Sequence, residues 1–438
     1  MPRTSSKMSQ VWQRILAEPE VQRELGEKGF FEVTSRELND YSKPMSGPDA
    51  RILVKFDSSH QLPEALRESG LAPITVNRAR FAVGAFDIYS ELPPLEDADL
   101  RVVRYKSPHD AMNVAEVTSE SLALLVASAS RVIDEFAGAD VKLSFFGKVV
   151  MKTLDFSVSK HGGEAARFVG SGMQIELDAV FENDQQMLLV EAKIGRPRDF
   201  NIRQLYFPYR HFREKTEKVI RPILMVYSRG VFEFIEYRFA DPQNMSSFEI
   251  VRTQVVAVLA PDSPLENLRT IAKNPETVFG AEGVTFPQAN DFDKIIEVSR
   301  IASAKPVGSE EIGQALGVVG RQVDYYIQAA RYIGLVESSA TGVVATKLAQ
   351  GILGKSLPAR NFDLAALIVQ IPTVGQCFLF TTEEGFLPTV EYASMNLATP
   401  EDFVGVNDTT RRRRISTAIS WTRWIISNMP GKDKVSMS

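Results

Sequence analysis

The stretch Met173-Gln-Ile-Glu-Leu-Asp-Ala-Val-Phe-Glu182, then Asn183-Asp-Gln-Gln186, then Met187-Leu-Leu-Val-Glu-Ala-Lys-Ile194, decides how this chain is read. The first run alternates apolar and polar residues, and alternate residues of a strand share a face. The second opens on four apolar residues and closes on Glu-Ala-Lys. Asn183-Asp184 between them is turn chemistry. An antiparallel hairpin is therefore predicted. Glu176 and Asp178 share a face of its first strand, and Glu191 and Lys193 share a face of its second. Pairing the strands brings Asp178 close to Glu191 and Lys193.

Charges beside Leu188, Leu189 and Val190 lose hydration unless something pairs with them. A divalent cation would compensate the carboxylates, and oxygen ligands without His or Cys nearby favour Mg2+ over zinc. Magnesium held between carboxylates and a phosphate oxygen polarises the phosphorus and activates a water. A lysine beside it orients or deprotonates that water. The residues thus suit phosphodiester hydrolysis. The chain's 438 residues include one cysteine, Cys377, and four histidines without metal-ligand spacing. That removes a disulfide framework and a zinc site from consideration.

The balance of 50 Lys+Arg against 55 Asp+Glu gives a net charge of −5. Such mild acidity argues against a protein that coats nucleic acid wholesale, though it says nothing of local patches. No apolar run approaches the ~20 residues that span a bilayer, and the first residues lack an apolar leader core. A cytoplasmic protein with no membrane partner is expected. The length predicts two to four domains.

Around the hairpin, apolar spacing predicts helices over 11–16 and 62–69 and strands over 51–56 and 81–88. Glu91-Leu-Pro-Pro-Leu95 breaks the pattern. Helical spacing returns over 117–136. After the hairpin come a helix near 199–216 and strands over 219–227 and 231–239. Pro261, Pro264, Pro275, Gly280, Gly283 and Pro287 make 246–288 read as an irregular linker. Helices are predicted over 291–303, 309–317 and 321–335. The last third mixes strand-like and helical pieces, and the tail 430–438 reads as loose. The expected domains are an N-terminal α/β region (1–104), a core (105–245), the linker (246–288), a helical module (289–356) and a C-terminal extension with a basic helix (357–438).

Asp178, twelve intervening residues and Glu191-Ala-Lys193 resemble the motif of the PD-(D/E)XK nuclease superfamily. The order of strand hairpin, helix and strand is similar to that superfamily's core. Leu177, not Pro, precedes Asp178, at a position that varies. The resemblance implies an α+β, restriction-endonuclease-like mixed sheet flanked by helices. It also implies Asp178 and Glu191 as Mg2+ ligands and Lys193 as the catalytic lysine. Glu176 reads equally as a third metal ligand or as a solvated strand residue. In Arg203-Gln-Leu-Tyr-Phe-Pro-Tyr-Arg210, Gln204 resembles the Gln of a Gln/Tyr motif and takes a supporting catalytic role. The whole stretch is similar to a group of bacterial type II restriction endonucleases. Two rival matches fail. Pro48-Asp49 has no (D/E)xK at a suitable distance, and Asp140-Val-Lys142 has no apolar strand before it.

From Lys193 to Arg221 there are nine basic residues against Asp199, Glu214 and Glu217. Arg196, Arg198, Arg203 and Arg210 are the expected contacts to DNA phosphates; the alternative is a solvated amphipathic helix. Downstream, Ser309 to Leu335 reads as helix, Gly317/Gly320 turn, helix. Val323, Ile327, Ala330 and Ile333 face inward there, and Arg321, Gln322, Tyr325, Gln328 and Arg331 face outward. With a wing over 336–346 this resembles a winged helix-turn-helix, whose outward side chains suit base edges and phosphates. Packing or dimerisation is its other reading. Arg411–Arg414 and Arg423 form a second basic cluster. Arg411 and Arg412 are candidate phosphate contacts, unless Trp421 and Trp424 mark a helix docked on a core. Ala349-Gln-Gly-Ile-Leu-Gly-Lys-Ser356 lacks the first glycine of a phosphate-cradling loop and is set aside.

The expected function is that of a Mg2+-dependent, site-specific endonuclease on double-stranded DNA, leaving 5′-phosphates. A homodimer is expected for a two-strand cut, with a cognate DNA methyltransferase encoded nearby. The alternatives are a modification-dependent or repair nuclease on the same scaffold, and a DNA-binding regulator with a degenerate nuclease core.

Overall fold

The computed structural model describes residues 6–95, 98–106, 117–228, 230–260, 263–277, 279 and 286–428. The tail 430–438, and Pro261, Gly280 and Gly283 of the proline/glycine cluster, lie outside the described residues. The chain is mixed α+β. Its largest sheet has seven strands in the order Asp99–Arg104, Phe248–Leu259, Val231–Phe239, Val219–Ser228, Gln186–Ile194, Ala165–Glu182, Lys142–Ser159. Val219–Ser228 runs parallel to Gln186–Ile194, while Ala165–Glu182 runs antiparallel to its neighbours on both sides. Among the described residues no single helix is long and apolar enough to cross a membrane.

Two compact units divide the chain. One comprises 1–94, 133–227 and 233–253; the other comprises 95–132, 228–232 and 254–438. The chain passes between them inside the strands Val231–Phe239 and Phe248–Leu259.

In the first unit, Lys7–Leu16 is an amphipathic helix that buries Val11, Trp12, Ile15 and Leu16. Trp12 donates its indole N–H to Leu53 O at 3.1 Å. Residues 51–56, expected as a strand, instead open with the helix Ala50–Val54. Asp49 caps it through Arg51 N–H, and Ala50, Leu53 and Val54 bury at helical spacing. Local capping has overridden a β-branched run. A small antiparallel sheet follows, with Arg80–Gly84 between Phe30–Thr34 and Ala72–Asn77. It shares one core with the hairpin strands, including Phe31, Ile74, Phe156, Phe168 and Met173. The strand expected from residue 173 runs over Ala165–Glu182, 18 residues, and pairs on its other side with an equally long strand, Lys142–Ser159.

In the second unit, the expected linker holds regular structure. The strand Phe248–Leu259 buries Val255, Val256, Ala257, Val258 and Leu259, and Pro264 opens the helix Pro264–Lys273. Proline is preorganised at a first helical turn, so its presence marked a helix start rather than irregular chain. The helices Phe292–Ala304, Ser309–Leu316 and Arg321–Tyr332 lead into the hairpin Val336–Ser339/Gly342–Ala345. Gly317 ends the middle helix at φ +65, a left-handed cap that an L side chain resists. From 357 the elements among the described residues are helical, where strand-like pieces were also expected. The last, Asp408–Asn428, is docked: Trp421 donates to Ala289 O at 2.8 Å and Trp424 to Asp293 Oδ1 at 2.9 Å.

Gly170 lies where a Cβ would meet Val76 O at 2.2 Å, because the Ala165–Glu182 strand crosses the Ala72–Asn77 strand backbone to backbone. Gly170→Ala is expected to destabilise the fold by about 1–3 kcal/mol, read as a lower urea midpoint with unchanged slope.

Candidate functional site

The ladder between Ala165–Glu182 and Gln186–Ile194 runs from Glu182↔Met187 to Ala179↔Val190. Asp178 and Glu191 stand at the next rung, where backbone pairing has stopped. Asp178 fills the gap with its side chain: Oδ2 accepts the Ala192 N–H at 2.9 Å. Alternation puts Glu191 and Lys193 on one face, and Lys193 Nζ lies 2.6 Å from Glu191 Oε1. The same carboxylate oxygen accepts from Gln204 Nε2. Gln204 reaches it from the first turn of the helix Arg203–Arg213, whose Leu205, Tyr206, Phe207 and Tyr209 are buried against the first unit's core. Asp178, Glu191, Lys193 and Gln204 are therefore drawn together.

Glu191 is 7% exposed. Burial pushes its carboxyl up to about 8; Lys193 pulls the value back, and the negative charges of Asp178 and Asp57 add to the rise. Gln204 Oε1 is buried without a hydrogen-bond donor. Glu176 lines the same cleft as Glu191 and Gln204 but is largely exposed, and Lys148 lies 3.7 Å from it across the hairpin. Among the described residues no group of three or more His, Cys, Asp or Glu side chains is gathered closely enough to hold a metal ion. The oxygen donors present are two carboxylates and the orphaned amide oxygen of Gln204. Carboxylate oxygens are hard ligands of the kind Mg2+ takes.

One functional neighbour escaped sequence reasoning. Asp57, far upstream, is close enough to raise Glu191 and pairs with Arg203 at 3.3 Å. Its sole local signal is a polar Asp-Ser-Ser-His turn after an apolar run, which says nothing about a partner 146 residues away.

Much of the basic run is spent internally. Arg196 makes a two-pronged pair with Glu233, which is almost fully buried, and also donates to Pro93 O. Arg210 clasps Tyr206 Oη and Pro242 O. Lys218 pairs with Glu182 and Arg221 with Glu236. Arg198 is exposed, with no described partner. On the helix Arg321–Tyr332, Val323, Ile327 and Ala330 are buried. Arg321, Gln322 and Gln328 are exposed and Tyr325 is half-buried. Arg411 donates to Ser394 O and stacks over Phe403; Arg412 is exposed.

The fold and site define a mixed α+β protein with a carboxylate–lysine centre at a splayed strand pair. Residues 9–83 match the family described as Domain of unknown function (DUF6996), residues 84–255 match Domain of unknown function (DUF6997), and residues 294–430 match Domain of unknown function (DUF7226). No curated protein and no solved structure matches the chain. Asp57 falls in the first matched region, and Glu191 and Arg203 fall in the second.

The Arg196–Glu233 pair gives Arg196 a structural role that the exposed Arg198 lacks. Arg196→Ala strands a buried carboxylate and is expected to cost about 3–5 kcal/mol of stability. Urea titration should show that loss; Arg198→Ala, tested alongside, should stay within about 0.5 kcal/mol of the parent chain.

Proposed function

We propose that the chain is a Mg2+-dependent endonuclease that cuts double-stranded DNA at a short specific sequence. The reading rests on one observation: Lys193 Nζ lies 2.6 Å from the buried Glu191, with Asp178 on the facing strand end. Asp178 and Glu191 would hold the ion, with Glu176 lining the same cleft and Gln204 in support. When bound, magnesium supplies Lewis acidity to a phosphoryl oxygen and to water. Asp178 stays fixed by the Ala192 N–H, which orients it without using both of its oxygens. Gln204 and Lys193 both donate to Glu191, which favours the ionised carboxylate against its desolvation. Lys193 also orients the attacking water and offsets negative charge as it develops on the phosphate. Water adds to phosphorus and the P–O3′ bond breaks, leaving a 5′-phosphate and a 3′-hydroxyl.

The hairpin domain, with its restriction-endonuclease-like core over 105–245, performs the cut. Residues 289–356 act as a winged helix-turn-helix that grips DNA through Arg321, Gln322, Tyr325 and Gln328. Their outward placement on a helix whose other face is buried supports this. Residues 1–104 contribute recognition or dimerisation. A two-strand cut calls for a homodimer, and host protection calls for a partner methyltransferase.

Purified protein should cut plasmid DNA with Mg2+ and be silent with EDTA. Lys193→Ala and Asp178→Ala should lower cleavage by about 10²-fold or more while DNA binding persists in a gel-shift assay. Cleavage that survives in Lys193→Ala would overturn the assignment of the centre.

A further inference from the structure

The turn after the helix Ala50–Val54 is bolted to the segment leading into the helix Arg203–Arg213. Asp199, nearly buried, accepts from Ser58 Oγ, from Ser59 Oγ and from the Ser59 N–H at 2.7 Å. Asn201, fully buried, closes the other side. Its N–H donates to Asp57 O at 2.8 Å, its Nδ2 donates to Phe56 O at 3.0 Å, and its Oδ1 accepts the Arg203 N–H at 3.2 Å. Ser58 Oγ also lies 2.8 Å from His60 Nδ1, but the serine stands between imidazole and carboxylate. A nucleophile–base–acid relay needs the imidazole in the middle, so this cluster is a clasp and not a hydrolase triad.

The clasp fixes the Asp57 backbone from both sides and fixes the first residue of the helix at the same time. What it sets is the ion pair between Asp57 Oδ1 and Arg203 Nη2, 3.3 Å apart, with the side chains 34% and 15% exposed. Arg203 precedes Gln204, which touches Glu191. A guanidinium presents five donors in a planar fork, so one carboxylate oxygen leaves others free for a second anion.

We propose that Asp57 is a positioning residue that aims Arg203 at a phosphate oxygen of the DNA strand being cut. Buried polar groups hold Asp57, Asp57 holds the guanidinium, and the guanidinium meets the phosphodiester beside the Asp178/Glu191/Lys193 centre. This rests on the nuclease reading given above. It makes the centre composite, built from two stretches of chain more than a hundred residues apart.

Steady-state cleavage of a duplex containing the recognised site, with the full chain and Mg2+, tests it. Asp57→Asn should raise KM about tenfold with kcat within about twofold, because the lost contact is made with bound substrate as well as in the transition state. Asp57→Glu should recover most of that loss. Asp57→Asn combined with Arg203→Gln should be no worse than Arg203→Gln alone, since both act through one guanidinium. Melting temperatures matched to the parent chain exclude simple unfolding. An active parent whose Asp57→Asn variant keeps the parental KM, or a double variant whose losses add, overturns the positioning role alone. A parent that binds DNA and never cuts it with Mg2+ overturns the nuclease reading and this role with it.

Discussion

Glu191 sits inside a sheet, between a parallel neighbour whose Leu224 lies opposite it and an antiparallel neighbour that stops pairing one rung earlier. Taking a carboxylate out of water costs several kcal/mol even after relaxation. Everything nearby reads as an answer to that cost. Lys193 and Gln204 converge on one oxygen, and the strand end opens so that Asp178 takes the Ala192 N–H. A solvated hairpin would need none of this, because exposed charges hydrate themselves. Perturbed buried carboxylates cluster at functional sites, which is why this one marks the candidate centre.

The same economy of charge reshapes the basic run that follows. By formal count Lys193–Arg221 is a strongly positive stretch, yet five of its cations are committed to acids: Lys193, Arg196, Arg203, Lys218 and Arg221. Arg210 binds carbonyl and phenol oxygens in place of an acid. A sequence count cannot see these partners, because Glu233, Glu236 and Asp57 lie on other elements. In the second unit the arrangement is plainer. Arg321, Gln322, Gln328 and Arg412 are exposed, and among the described residues no acid is paired to any of them.

The hairpin, the helix after it and the helix–turn–helix–hairpin of the second unit were legible because each is set by local signals. These are alternation from Met173 to Ala179, turn chemistry at Asn183-Asp184, and glycine at Gly317 and Gly320. What stayed illegible depends on distant partners. Residues 51–56 have strand-like side chains, but Asp49 caps the segment and Asn39 accepts the Ala50 N–H, which commits it to a helix. Residues 246–288 carry enough proline to read as irregular, yet Val255–Leu259 find a parallel partner in Leu100–Arg104, over 150 residues earlier. Asp57 is the extreme case. Its role is fixed by Asp199, Asn201 and Arg203, and nothing in its own neighbourhood announces them.

That dependence has a structural consequence for how the first unit holds together. The small N-terminal sheet does not close a core of its own. Phe30 and Phe86 pack edge-on against Phe168 of the long hairpin, at 5.1 and 6.0 Å between ring centres, and Gly170 lets the Ala72–Asn77 strand approach the same strand's backbone. The clasp at Asp199 and Asn201 adds buried hydrogen bonds along the same seam. The contact is thus apolar in bulk and polar at the one place where a side chain is being aimed. An N-terminal stretch that served merely as a loosely tethered recognition arm would need neither feature. Its removal would strip the hairpin of the packing that Phe30, Phe86 and the Ala72–Asn77 strand supply, and would take Asp57 with it.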